Sequence, residues 1–157
     1  MSDPNEKVAA DRRALVMRVR MSPYTGPKTN VSRRTTVGAP PREVYETLLD
    51  PARHAALTGA ATELGTTMGD PVSLLDGKAT GFLMEALEDR HIVVALRRDM
   101  DGWPERHYST ATFMLRAEGA GTTVVVFEQD VPADLGDAVG DQWQHAYVDK
   151  LTAAFPG

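Results

Sequence analysis

At 157 residues and 17.1 kDa, with 42% hydrophobic and 25% charged side chains, the chain has the size of one globular domain and buries about 70% of the surface its unfolded form exposes. It contains no cysteine, which excludes a disulfide framework, a thiolate metal site and a cysteine nucleophile. The net charge of −5 is uneven: residues 1–40 carry eight Lys or Arg against three Asp or Glu, the rest nine against nineteen, and an acidic body disfavours binding to nucleic acid.

The first thirty residues read as an extension to a domain over 31–157. Leu15, Met17, Val19 and Met21 alternate with Val16, Arg18 and Arg20, which predicts an edge strand if the segment is ordered. The helix formers of Ala9 to Val16 allow a helix instead, before Pro23, Gly26 and Pro27 break any regular element. No apolar run approaches the roughly 18 residues of a membrane span, and the N-terminus lacks the apolar core of a signal peptide, so no membrane span and a cytoplasmic location are expected.

From Val31 the elements become legible. Val31 to Val37 suits a strand, and Pro40-Pro41 opens a helix whose Val44, Tyr45, Leu48 and Leu49 form one apolar stripe. Asp50-Pro51 supplies an N-cap and an N1 proline for a second short helix, which Gly59 ends. Short strands follow at 62–64 and 72–75, then Asp76-Gly77 as a hairpin turn, then longer strands at 78–87, 92–97, 107–117 and 122–130. Asp134 and Asp137 are candidate caps for a final helix in which Val139, Trp143, Tyr147 and Leu151 recur every four residues. The sum is an α+β chain: a curved antiparallel sheet wrapped around a long C-terminal helix, with two short helices after the first strand. An apolar pocket is expected between sheet and helix.

Alternation places candidate polar anchors in that gap. His107, Ser109, Ala111, Phe113 and Leu115 share one face, as do Val124, Val126 and Glu128 on the next strand. A register pairing Leu115 with Val124 sets Ala111 opposite Glu128 and Ser109 opposite Asp130, which brings His107 near Glu128 on the concave side. Such a pair serves as a ligand anchor, or as an acid and base where burial raises the carboxylate pKa. Trp103 lies in a loop as a gate or partner contact, Trp143, Tyr147 and Leu151 are walls, and His54 closes the pocket from the short helix or caps it. A Ser109, His107, Asp130 triad has no Gly-x-Ser-x-Gly elbow to support it, and no metal-ligand spacing or nucleotide-binding loop is present, so neither metal nor cofactor is expected.

Ala39-Pro40, Val44-Tyr45-Glu46, Leu48-Leu49-Asp50-Pro51, His54, Leu57-Thr58-Gly59-Ala60, Asp76-Gly77, Gly81, Trp103-Pro104-Glu105, His107-Tyr108-Ser109, Phe113, Gly121-Thr122, Val131-Pro132 and Trp143 follow in an order and spacing that resembles a known family. It is the START-like (SRPBCC) superfamily with its helix-grip fold, and within it the group named for the activator of the Hsp90 ATPase. Leu96 stands where that family usually places Trp, which implies a larger pocket, and the loop from Arg98 to Gly102 is longer than usual. The resemblance implies the fold; the residues themselves lead to the expectation of an apolar small-molecule ligand held by His107, Glu128, Ser109, Phe113, Leu96, Trp103, Trp143, Tyr147, Leu151 and His54. Two alternatives remain open: a protein-interaction domain that meets an Hsp90 homologue, and an acid-base enzyme of cyclase or dehydratase type in the same pocket. Either a monomer or a homodimer fits.

Overall fold

A computed structural model describes residues 4–157. Helix α1 spans Pro4–Arg20, so the alternating stretch at 15–21 is helical. The expected edge strand is not formed there: Ala9, Ala10, Ala14, Leu15, Met17 and the arginines are strong helix formers, and the same residues at spacings of three and four place Leu15, Arg18 and Val19 on one side.

Strand β1 (Lys28–Val37) precedes α2 (Pro41–Leu49) and α3 (Pro51–Thr58). Asp50 caps α3 through its carboxylate, which accepts from the backbone N–H groups of Ala52 and Arg53, and Gly59 closes it at φ +74°. Strands β2 (Glu63–Leu64), β3 (Pro71–Leu74), β4 (Ala79–Leu87), β5 (His91–Arg98), β6 (Ser109–Glu118) and β7 (Gly121–Pro132) follow. Together they make one seven-stranded sheet in the order β1-β7-β6-β5-β4-β3-β2, with every pairing antiparallel. Leu75, Asp76 and Gly77 all take left-handed backbone between β3 and β4, the conformation that the Asp-Gly dipeptide favours. Leu115 pairs with Val124 and Ala111 with Glu128, the register expected from alternation.

The C-terminal helix is long but not uniform. A 3-10 turn (Ala133–Leu135) leads into α4 (Gly136–Trp143), a π-helical turn (Gln144–Val148) interrupts it, and α5 (Asp149–Ala154) completes it. The expected caps are not used: Leu135 occupies the N-cap with no side-chain hydrogen bond, Asp134 sits in the 3-10 turn and Asp137 in the first helical turn. The helix lies against β1 and is gripped by the sheet, with Thr35 and Thr152 hydroxyls 2.8 Å apart at its far end. Val44 and Leu48 of α2, Ile92, Val94 and Leu96 of β5, Phe113 of β6, Val126 of β7 and Val139, Tyr147 and Leu151 of the helix share one core. No helix among the described residues is long and apolar enough to cross a membrane.

Candidate functional site

The gap between sheet and C-terminal helix is occupied by side chains that meet each other. Phe113 of β6 stands edge-on to Trp143 at 5.5 Å and lies 5.4 Å from Tyr147, whose ring is 5.0 Å from that of Trp143. These are the separations of interlocked aromatic pairs. Leu96 is fully buried opposite Gly81 and Ser109, and Leu151 is fully buried in the same core. Thus the leucine at the family's tryptophan position has no exposed surface and belongs to the same buried core as the aromatic cluster.

Glu128 is the polar centre of the gap, although its partner is not His107. Its Oε1 accepts from Arg98 Nη2 at 2.7 Å and from Trp143 Nε1 at 2.8 Å. Its Oε2 accepts from Ser109 Oγ at 2.6 Å and forms an ion pair with Arg98 Nη1. Both side chains are essentially excluded from solvent, at 1% and 0% exposure. Arg98 in turn donates Nε–H to Gln142 at 2.8 Å, and its guanidinium sits between the Trp103 and Trp143 rings at 5.6 and 5.4 Å. A buried carboxylate with this set of donors is held as a structural ion pair, since each charge has a direct counter-charge and its remaining hydrogen-bonding capacity is used.

Sequence reasoning missed Arg98, which it placed in a loop. The signal was there in parity: Ile92, Val94, Leu96 and Arg98 alternate onto the same face of β5, so the inward row of that strand ends in a cation.

His107 lies elsewhere. It precedes β6, and its buried imidazole points to the rim of the sheet, where Nε2 is 2.6 Å from the Asp130 carbonyl oxygen and Nδ1 is 2.7 Å from Ser22 Oγ. The expected approach of His107 to Glu128 does not occur, because the strand begins only at Ser109 and the ring leaves the alternating face. Ser109 pairs with Leu96 in the ladder and turns its hydroxyl to Glu128, so it takes no part with His107 or Asp130. Trp103 packs against the His107 ring at 5.6 Å and donates Nε1–H to the His107 carbonyl at 2.9 Å, which fixes it on the strand end.

His54 forms a second buried network. Its Nδ1 is 2.7 Å from the Leu48 carbonyl and its Nε2 2.7 Å from the Tyr147 hydroxyl, so the ring donates from Nδ1 and accepts at Nε2. It therefore ties α3 to the C-terminal helix and does not cap α3, whose end is closed by Gly59. Burial lowers the His54 imidazole from its ordinary value, against the opposing pull of the Leu48 carbonyl. Burial likewise pushes the Tyr147 phenol up, with Arg98 acting weakly in the other direction. Both groups are neutral at pH 7, as the hydrogen bond between them requires. Among the described residues the one buried side-chain polar atom without a partner is Asp89 Oδ1, outside the gap. No group of three or more His, Asp or Glu among them is placed to hold a metal ion.

Residues 38–156 match the family model described as activator of Hsp90 ATPase homolog 1-like protein. The chain belongs to that family. An uncharacterized Schizosaccharomyces pombe protein is 30% identical over 126 residues, covering 80% of this chain and 37% of that protein. The human activator of 90 kDa heat shock protein ATPase homolog 1 is 23% identical over 129 residues, 82% of this chain and 38% of its own length. The chain thus spans less than two fifths of these curated relatives. The crystal structure of an Hsp90 activator from Plasmodium falciparum superimposes with a TM-score of 0.71 at 18% identity, covering 81% of this chain and 97% of that one. The helix-grip fold expected from the sequence is the fold of this Hsp90-activator-like domain.

Proposed function

We propose that this Hsp90-activator-like domain works through its surface, as a chaperone-associated interaction domain whose partner is an Hsp90-type ATPase. One observation carries the reading: the gap where a ligand would lie is taken up by the Phe113, Trp143, Tyr147 cluster and by two networks whose polar atoms are all paired internally. A folded domain whose interior polar groups already satisfy one another has its unsatisfied chemistry outside. Similarity to the human Hsp90 ATPase activator supports the choice of partner. Calorimetric titration of the full chain against the host's Hsp90 homologue, with ATP turnover followed in parallel, is the test. Saturable binding that changes the ATPase rate is expected, and no heat and no change in rate at high micromolar concentration overturns the reading.

A second reading, an apolar small molecule held between sheet and helix, is favoured by the π-helical turn at Gln144–Val148. Turns of this kind are frequent at functional sites and loosen the helix where Tyr147 faces the cluster. Trp143, Tyr147, Leu151, Phe113 and Leu96 would be the walls. Native mass spectrometry of the purified chain before and after solvent extraction decides it: a co-purifying compound lost on extraction supports this reading, and a single empty mass refutes it.

A further inference from the structure

We propose that Ser22 is an activated nucleophile, with His107 as its general base, in a site that accepts a small activated acyl ester. The three-part arrangement expected of such a site is present at the sheet rim. Ser22 Oγ lies 2.7 Å from His107 Nδ1, and His107 Nε2 lies 2.6 Å from the carbonyl oxygen of Asp130. A carbonyl oxygen only accepts, so Nε2 carries the proton, and Nδ1 is left with the lone pair that receives the Ser22 hydroxyl hydrogen. Nucleophile, base and orienting acceptor are thus in the order that acyl transfer by serine requires, with a main-chain carbonyl in place of a carboxylate.

The surroundings support a reactive pair. The imidazole is buried and walled by Tyr24, edge-on at 5.2 Å, and by Trp103 at 5.6 Å, so its basic nitrogen is shielded on the ring faces. Ser22 is only partly buried, unlike the enclosed imidazole that it meets. The backbone N–H of Tyr24 donates to Ser22 Oγ at 3.3 Å and helps to hold the hydroxyl oxygen beside the imidazole. Arg106, which precedes the histidine, and Asp130, which supplies the acceptor, are both non-glycine residues in left-handed backbone, at φ +56° and +64°. Strain on either side of one hydrogen bond is what a position held for a purpose shows.

The step balances. Ser22 Oγ attacks the ester carbonyl carbon and its proton passes to His107 Nδ1. The ester C–O bond then breaks, and the departing alkoxide takes that proton. Water, deprotonated by the same nitrogen, attacks acyl-Ser22 and releases the carboxylic acid, which restores the hydroxyl.

The test uses the unaltered chain with a fluorophosphonate probe, which bonds its phosphorus to the serine oxygen and loses fluoride. A single adduct mapped by mass spectrometry to Ser22 is expected, together with a burst of nitrophenol from p-nitrophenyl acetate. Ser22→Ala should lose both, and His107→Gln should slow labelling by about a hundredfold or more. No adduct at Ser22 overturns the proposal and leaves the pair as a clasp for the N-terminal helix. So does labelling of Ser22 at an unchanged rate in folded His107→Gln. If that variant does not fold, the mapped adduct and the burst on the unaltered chain decide alone.

Discussion

Replacing Glu128 with Gln keeps the shape of the side chain and removes its charge, and the geometry fixes what must follow. Each carboxylate oxygen receives two donors, Arg98 and Trp143 on one, Arg98 and Ser109 on the other. Turned toward Arg98 Nη2 and Trp143, the new NH2 faces two donors that cannot accept. Turned toward Ser109, it meets a hydroxyl that can accept from it and donate to the Leu96 carbonyl 3.1 Å away, but it still opposes Arg98 Nη1. The Arg98 guanidinium, 1% exposed, simultaneously loses its counter-charge. Breaking a buried pair by removing one partner costs about 3–5 kcal/mol. For a domain of this size that lowers Tm by roughly 6–20 °C, at about 2–4 °C per kcal/mol. Urea denaturation followed by tryptophan fluorescence reads the loss directly, since Trp143 is itself a member of the network. The double variant Arg98→Met with Glu128→Leu should recover the part due to the uncompensated Arg98 charge, less about 1–3 kcal/mol for the Trp143 Nε1–H that then lacks its acceptor. A loss under about 1 kcal/mol in Glu128→Gln, the range of an exposed ion pair, would refute the argument that the pair is a dry structural element.

Other perturbations probe separate parts of the molecule. Because burial holds the folded His54 below its ordinary pKa, the unfolded chain takes up the proton first as pH falls; stability is full above about pH 6.5 and declines below it. Urea midpoints at pH 7.5 and 5.5 should therefore differ less in His54→Gln than in the unaltered chain, and equal differences would contradict the assignment. Gly81→Ala places a Cβ onto the Ala95 carbonyl of the neighbouring strand, so a loss of roughly 1–3 kcal/mol in thermal or urea unfolding is expected. Arg18 lies 4.6 Å above the Phe82 ring and 5.7 Å from that of Tyr108, and Arg18→Ala should speed amide hydrogen exchange across α1 while leaving the sheet unaffected. Protection of α1 that does not change would show that this contact is not what holds it.

Periodicity carried the fold. The Leu115 with Val124 register, the Asp50 cap, the Asp76-Gly77 turn and the apolar row of the C-terminal helix each follow from local chemistry that tertiary context did not override. The candidate site was legible as a set of inward residues but not as a set of partners. Parity correctly turned Glu128 and Ser109 inward, yet pairing them required knowing where β6 begins, and a two-residue difference at its start sends His107 to the rim. Ser22 was invisible for a related reason. Nothing in the sequence ties a residue just past a basic helix to one eighty-five positions later, because that contact depends on where α1 docks on the sheet. Alternation of apolar residues at 15–21 fits a period of two, but Leu15 and Val19 are one helical turn apart and satisfy the other period equally, which is why strand and helix both stay open there until the helix formers decide it.

The two interior networks also bear on which function the fold can support. One ties the C-terminal helix to α3 through Tyr147 and His54; the other ties it to β5 through Glu128, Arg98, Trp143 and Gln142. They hold different members of the aromatic cluster, Tyr147 in one and Trp143 in the other, so moving either ring aside to make room for a ligand means separating the network that holds it. Leaving the ion pair unmade costs about 3–5 kcal/mol, and leaving one buried hydrogen-bonding group unpaired about 1–3 kcal/mol. A drug-sized apolar ligand returns about 0.3 kcal/mol per heavy atom, or on the order of 6 kcal/mol for twenty atoms. The two quantities nearly cancel when both networks open, which leaves binding in the gap weak unless the ligand opens only one of them or replaces the lost polar contacts. Surface recognition carries no such cost, and it keeps the helix clamped in the position that shapes the outside of the domain.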